Sequence, residues 1–224
     1  MVTDEIVLGI DEAPAVEIPQ APEPHPGYNL AKRLLDVTGA LCLLTLGAPL
    51  LVGAGGLILI TSGPPVFFKQ QRLGFGGRAF TLWKLRTMVP DAEARRAEVL
   101  HLNVAGGPAF KASDDPRLTA LGKWLRRLSI DELPQAYNVL RGDMSLVGPR
   151  PLPVTENRYR GEQFKRLSVK PGLTCIWQTS GRSQITFEQW MDMDLRYVRE
   201  RSIWEDLRLI WRTVPAVLSN RGAV

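Results

Sequence analysis

Residues 37–68 carry no Asp, Glu, Lys or Arg, and residues 37–60 are strongly apolar. As a straight helix rising about 1.5 Å per residue, residues 37–60 would reach across a hydrocarbon core of about 30 Å. The run begins too deep in the chain and lasts too long to be a cleavable leader. It predicts a membrane helix. Two features oppose a plain crossing. Pro49, with Gly47 just before it, sits near the middle, where a proline removes a backbone donor and bends a helix. Both flanks are basic, with Lys32 and Arg33 before and Lys69, Arg72, Arg78, Lys84 and Arg86 after. The positive-inside rule then places both ends in the cytoplasm. A re-entrant helix that breaks at Pro49 meets both conditions; a proline-kinked spanning helix meets only the first. Asp36 falls at the cytoplasmic interface beside Lys32 and Arg33.

Charge is distributed unevenly. The first 26 residues hold Asp4, Glu5, Asp11, Glu12, Glu17 and Glu23, five prolines and no Lys or Arg. Such a segment has too little apolar periodicity to offset its ordering entropy and predicts a disordered acidic, Pro-rich tail over residues 1–27. In the remainder, 28 Lys and Arg face 17 acids. An excess of that size points to phosphates, whether of nucleic acid, anionic lipid or a nucleotide. Nucleic acid fits least, because the basic residues are scattered among apolar and Gly/Pro-rich stretches and no zinc-finger or aromatic RNA-binding signature occurs. Cys42 and Cys175 form no disulfide framework or metal knot, which suits a reducing compartment. His25 and His101 are the only histidines, and no G-x-S-x-G elbow or Walker A loop is present.

Residues 129–151, reading SIDELPQAYNVLRGDMSLVGPRP, carry the densest chemistry. Ser129 and Glu132 have the spacing of a capping box, with Asp131 favouring the helix dipole. A helix capped there would place Pro134 inside it, without a donor for the carbonyl of Ile130. The other reading starts the helix at Pro134. Asp131 and Glu132 then stand outside a helix mouth, followed by a Gly- and Pro-rich turn carrying Arg141 and Arg150. Carboxylates beside arginines in an irregular segment suit phosphoryl chemistry, as nucleophile or metal ligand with cations for the phosphate oxygens.

Elsewhere, residues 66–72 and 78–86 read as strands of a hairpin, with Lys84 and Arg86 on one face. Residues 90–103 read as a charged surface helix. Residues 118–128 read as a second helix, whose Arg126 and Arg127 complement its C-terminal dipole. Residues 170–182 read as loop and short strand. Two amphipathic helices follow, over 187–201 and, capped by Ser202 and Glu205, over 203–214 up to Pro215. Trp204 and Trp211, seven apart and flanked by Arg208 and Arg212, give the second an interfacial composition. Asp206 lies in its first turn, where it also suits the helix dipole.

Several ordered motifs occur together: VFFKQQRLG and FTLWKLRTM, then FKASDDPRLTALGKWLRRLSIDELPQAYNVLRGDMSLVGPRP, then KPGLTCIWQTSGR. From about residue 28 onward the chain resembles the bacterial sugar transferases. These are small monotopic phosphoglycosyl transferases that move a sugar-1-phosphate from a nucleotide sugar to a polyprenyl phosphate. The resemblance implies an α/β monotopic membrane enzyme with a re-entrant helix over 28–62, a small sheet and interfacial amphipathic helices. Residues 63–224 would form the cytoplasmic catalytic domain, on a bacterial inner membrane. It implies Asp131 as nucleophile, forming an aspartyl-phosphosugar intermediate, and Glu132 as its partner, with Mg²⁺ held by Glu132 and Asp131. Lys84, Arg86, Arg126, Arg150, Gln178, Arg182 and Asp206 are the implied substrate-phosphate residues. Leu85 stands where the family's K-F-R-T-M motif has Phe, and Cys175 is a subgroup mark rather than a nucleophile. The implied partners are a UDP-sugar, undecaprenyl phosphate and membrane lipid, with a homodimer among the expected assemblies and no nucleic acid. The product would initiate exopolysaccharide or other glycan assembly. Two rival readings are a non-catalytic membrane scaffold of a glycan-assembly complex and a membrane-tethered nucleic-acid binder.

Overall fold

A computed structural model describes residues 6–7, 18–21, 25–102, 115–154, 158–180 and 185–218. The apolar run becomes α1, Tyr28–Ser62, a helix of 35 residues that continues through Pro49. The expected break is therefore absent from its secondary structure. Pro49 withdraws one hydrogen bond, that to the carbonyl of Thr45, while the turns on either side stay helical. By length and composition α1 could cross a membrane. It is nevertheless two-faced. Tyr28, Asp36, Ala40, Gly47, Ala54 and Ile58 are buried, whereas Leu30, Leu34, Leu46, Leu50, Val52 and Ile60 are exposed.

The buried face lies against the rest of the chain along its whole length. Arg33 donates to the carbonyls of Val139 and Leu140 at 2.8 and 2.7 Å, at the C-terminal end of α4, Gln135–Arg141. Asp36 accepts from the N–H of Leu146 and the hydroxyl of Ser145, both at 2.9 Å. Gly47 meets Leu133: a Cβ there would come within 3.2 Å of that side chain. At the far end, Arg86 donates to the carbonyls of Ser62, Gly63 and Pro64. Both ends of α1 are thus bonded to one domain.

After α1, β2 (Phe67–Leu73) and β3 (Ala79–Leu85) form the expected hairpin, in antiparallel register from Phe67 opposite Leu85 to Leu73 opposite Ala79. Where one small sheet was expected, the described residues hold three two-stranded sheets. β4 (Ser145–Val147) and β6 (Gly172–Thr174) pair in parallel. They approach so closely that a Cβ on Gly172 would lie 2.1 Å from the nitrogen of Gly148. Within the acidic segment, β1 (Ile6–Val7) pairs with β5 (Arg158–Tyr159), and Ile18 packs on a core of Tyr159, Phe164, Trp190 and Met191. A second core joins Ala40 of α1, Leu82 of β3, Val139 of α4 and Leu146 of β4 to Tyr197 and Leu209.

The helices follow the sequence pattern with local departures. The charged region yields turns, a short α2, Arg96–Val99, and a 3-10 turn, Leu100–Leu102. α3, Ala120–Arg127, is capped by Thr119, whose hydroxyl accepts from the N–H of Gly122 at 2.9 Å. α5, Ile176–Thr179, is a helical turn where loop and strand were expected. α6, Phe187–Glu200, opens with a capping box between Thr186 and Gln189. α7, Ile203–Leu218, is capped at Ser202 as expected but runs through Pro215. There the proline forfeits only one bond, near an exposed helix end. Trp204 and Trp211 are exposed on α7, as an interfacial face requires.

Candidate active site

Between α3 and α4 the chain turns sharply. Ser129 takes left-handed backbone angles, φ 56° and ψ 21°, the one non-glycine residue among those described with positive φ. Its side chain caps nothing, so the capping-box reading is not realised. Ile130–Glu132 forms a single 3-10 turn, and Pro134, with φ −60°, opens α4 at Gln135. Proline's preset φ suits that place, which is the second reading of this segment. The turn aims two adjacent carboxylates into a space bounded by β3, α3 and the loop after β4.

These carboxylates are held in opposite ways. Glu132 is held by two cations. Its Oε1 accepts from Lys84 Nζ at 2.7 Å and Arg150 Nη2 at 2.5 Å, and its Oε2 accepts from Arg150 Nη1 at 3.3 Å. Asp131 is 5% exposed and accepts no hydrogen bond from any described residue. Burial pushes its carboxyl up to about 6, against the pull of Lys84. Burial acts on Glu132 in the same direction, but the charges and hydrogen bonds of Arg150 and Lys84 outweigh it and hold that carboxyl well below the usual range. A desolvated carboxylate without donors is a competent nucleophile; one clamped by two cations is not. The geometry therefore gives different surroundings to two adjacent acids that sequence spacing alone cannot tell apart.

Arg126 reaches the same space from the last turn of α3, where its Nε donates to Thr87 Oγ1 at 2.9 Å. Burial lowers its pKa, and the charge of Asp131 is the strongest influence opposing that. Lys84, Arg126 and Arg150 thus converge around the Asp131–Glu132 pair. Arg86 does not join them, because its guanidinium is bound to the three carbonyls that end α1. Asp206 is also elsewhere. It is fully buried and accepts from Tyr28 at 3.1 Å, Tyr197 at 2.7 Å and Lys32 at 3.0 Å. With both oxygens engaged, it ties α7 to α1. Gln178, on α5, accepts from the thiol of Cys175. Burial pushes that thiol up to about 12, in keeping with an unreactive cysteine. Arg182 lies outside the described residues.

No group of three or more His, Cys, Asp or Glu able to hold a metal occurs among the described residues. The pair still fits a magnesium ion, which uses one or two carboxylates and takes its other ligands from water and substrate phosphates. Asp131 has both oxygens open, and Oε2 of Glu132 is only loosely engaged.

Sequence reading missed Asn138, Arg166 and Asp194. Asn138 Nδ2 donates to the carbonyl of Thr81 at 2.7 Å, and its Oδ1 accepts from the N–H of Trp83 at 3.2 Å, fastening α4 to β3 beside Lys84. Asp194 did leave a signal. It occupies the buried stripe of α6 formed by Trp190, Met191, Tyr197 and Val198. An acid on an apolar stripe announces a buried partner, here Arg166 at 2.6 Å.

A buried carboxylate with no donor among the described residues lies beside a cation-bound one, near a long apolar helix. The chain belongs to the bacterial sugar transferase family, whose model matches residues 27–220. It is 46% identical over 202 residues to galactosyl transferase CpsE of Streptococcus agalactiae serotype III (strain NEM316), covering 88% of this chain and 44% of that one. It is 37% identical over 204 residues to the exopolysaccharide production protein ExoY of Rhizobium meliloti (strain 1021), covering 89% and 90%. The UDP-glucose:undecaprenyl-phosphate glucose-1-phosphate transferase of Caulobacter vibrioides (strain ATCC 19089 / CIP 103742 / CB 15) is 38% identical over 228 residues, with 96% and 81% covered. The chain spans less than half of the streptococcal relative and nine-tenths of the rhizobial one.

Proposed function

We propose that this protein transfers a sugar-1-phosphate from a UDP-sugar to undecaprenyl phosphate, the step that initiates assembly of an exopolysaccharide or related glycan. The observation that carries this reading is Asp131, a buried carboxylate with no hydrogen-bond donor among the described residues, next to a glutamate neutralised by Lys84 and Arg150. An oxygen of Asp131 attacks the β-phosphorus of the UDP-sugar. The bond from that phosphorus to the bridging oxygen breaks, UMP leaves, and an aspartyl-phosphosugar forms. A phosphate oxygen of the lipid acceptor then attacks the same phosphorus and releases the Asp131 carboxylate, giving undecaprenyl-diphosphate-sugar. Arg126, Lys84 and Arg150 stabilise negative charge on the transferring and leaving phosphates. Glu132 and Asp131 are the residues that would hold Mg²⁺. Once bound, the ion supplies charge neutralisation at the diphosphate.

The same reading places the domain on the cytoplasmic face of the inner membrane, with both ends of α1 on that face. Its support is that the two ends of α1, about 50 Å apart along the helix, are both bonded to one domain, through Arg33 and Asp36 at one end and Arg86 at the other. A simple crossing would separate those ends. The exposed leucines of α1 and the tryptophans of α7 supply apolar surface for the leaflet.

The test is to incubate the membrane fraction with undecaprenyl phosphate and a panel of UDP-sugars and record UMP release. Release with at least one sugar, abolished by chelation and restored by Mg²⁺, is expected. Absence of release across the panel would reject the transferase reading, and undiminished release after rigorous chelation would remove the metal from it.

A further inference from the structure

Arg150 clamps Glu132, yet Glu132 does not by itself explain where Arg150 sits. The main chain around it is fastened at four successive carbonyls. Pro149 O accepts from Gly172 N at 3.0 Å, Arg150 O from Arg166 Nη2 at 2.5 Å, Pro151 O from Arg72 Nη1 at 2.8 Å, and Leu152 O from Leu73 N at 3.3 Å. Pro149 and Pro151 fix φ on either side, and Pro151 also keeps Arg150 in extended backbone. The side chain of Arg150 thus projects from a segment with little freedom to swing.

Arg166 is the least expected of these fasteners. It lies in the 3-10 segment Gly161–Ser168, and its side chain is 2% exposed, while that of its partner Asp194 on α6 is 1% exposed. Every nitrogen of its guanidinium is engaged. Nε and Nη2 donate to Asp194 Oδ2 at 3.0 and 2.6 Å, Nη1 donates to the hydroxyl of Tyr159, and Nη2 also reaches the carbonyl of Arg150. The surroundings are a hydrophobic core containing Phe164, Leu167, Trp190 and Met191. A buried ion pair in such a place is a poor source of stability, since apolar side chains of similar volume do as well or better. What the pair achieves that apolar side chains could not is a directed hydrogen bond to one carbonyl, that of Arg150.

We propose that Arg166, oriented by Asp194, is a positioning residue for Arg150, fixing its main chain so that the guanidinium meets Glu132 and not Asp131. The consequence for turnover rests on the transfer reaction above. The positional claim does not.

The experiment replaces the ion pair by apolar side chains, Arg166→Met with Asp194→Leu, in the full-length protein and again on an Arg150→Ala background. Thermal unfolding should move little, since removing the buried charges offsets the loss of the donor to the Tyr159 hydroxyl and the Arg150 carbonyl. UMP release should fall about tenfold to a hundredfold in kcat with little change in KM for the UDP-sugar, as expected of a displaced catalytic cation. On the Arg150→Ala background the same replacement should add less than about twofold, because the residue through which it acts is already gone. Losses that multiply on that background, or an unchanged kcat in the double variant, would overturn the proposal. If the double variant unfolds, Arg166→Lys decides. A lysine keeps the charge opposite Asp194 but cannot serve Asp194, Tyr159 and the Arg150 carbonyl together, so normal turnover there also overturns it. The side-chain NMR signals of Arg150 give a readout that needs no substrate. They should be those of an immobilised guanidinium in the parent protein and of a mobile one in the double variant; identical signals refute the positioning role. A parent protein that releases no UMP would reject the transfer reading alone, leaving these signals to judge the positioning.

Discussion

At the junction of α1 and α7, Asp206 accepts hydrogen bonds from Tyr28 and Tyr197 and an ion pair from Lys32. In the turn between α3 and α4, Asp131 is buried to a similar degree and accepts nothing from the described residues. Both carboxyls are raised by burial. Only one is hydrogen-bonded by the described residues. The Asp206 cluster does what buried polar groups ordinarily do: it satisfies its members and fixes how two helices meet. Around Asp131 the cations act through space only: Lys84 and Arg150 make their hydrogen bonds to the neighbouring Glu132, and Arg126 donates to Thr87. An acid with all its bonds made joins the framework. An acid denied them keeps its lone pairs for chemistry, at some expense in stability.

The sharpest way to break this comparison is to remove each acid in turn. Asp131→Asn should lower UMP release by about 10⁴-fold or more, as loss of a nucleophile does. It should not weaken the fold. The Asp131 carboxyl titrates at about 6 in the folded chain, above its ordinary value. Its contribution therefore favours the folded state at acid pH and is lost as pH rises through about 6. At neutral pH the bare carboxylate opposes folding, and Asp131→Asn should stabilise by about 1–3 kcal/mol. Asp206→Ala should behave in the opposite sense, destabilising by about 1–3 kcal/mol because the hydroxyls of Tyr28 and Tyr197 lose their shared acceptor, while turnover per folded molecule falls far less. Equal effects of the two substitutions, read from thermal unfolding and initial rates side by side, would erase the distinction.

A smaller effect sharpens it. The reactive form of Asp131 is the carboxylate, so kcat/KM for the UDP-sugar should be level above about pH 6 and fall tenfold per unit below it. Glu132, held well below the usual range, should not titrate there. A profile flat down to pH 4 would mean that Asp131 is not the group whose ionisation limits the reaction.

Much of the site was readable from sequence because its members lie close together or in dense motifs. Pro134 would cost a hydrogen bond inside a helix capped at Ser129, and that local conflict offered the turn carrying Asp131 and Glu132 as the second reading. The hairpin bearing Lys84 was legible from its alternation and its glycine turn. The roles of Arg86 and Asp206 were not. Their partners lie far along the chain, 22 to 24 residues away for the carbonyls of Arg86 and 178 for Tyr28 and Asp206, and no spacing rule reaches across a fold. Local propensity also gave way at Pro215, where an exposed helix end absorbs the missing bond. The parallel pairing of β4 with β6 depends on a close backbone approach, Gly148 against Gly172, that the pattern of apolar residues does not encode.

The central claim is that the bare carboxylate of Asp131 carries the sugar-phosphate between donor and acceptor. Incubating the protein with a UDP-sugar labelled at the β-phosphorus, without lipid acceptor, and mapping the label by peptide mass spectrometry tests it directly. The account predicts one equivalent of UMP released, label on the peptide containing Asp131, none on Asp131→Asn, and discharge of the label when undecaprenyl phosphate is added. Label on Glu132 or another residue, or product formed at a normal rate by Asp131→Asn, would contradict it.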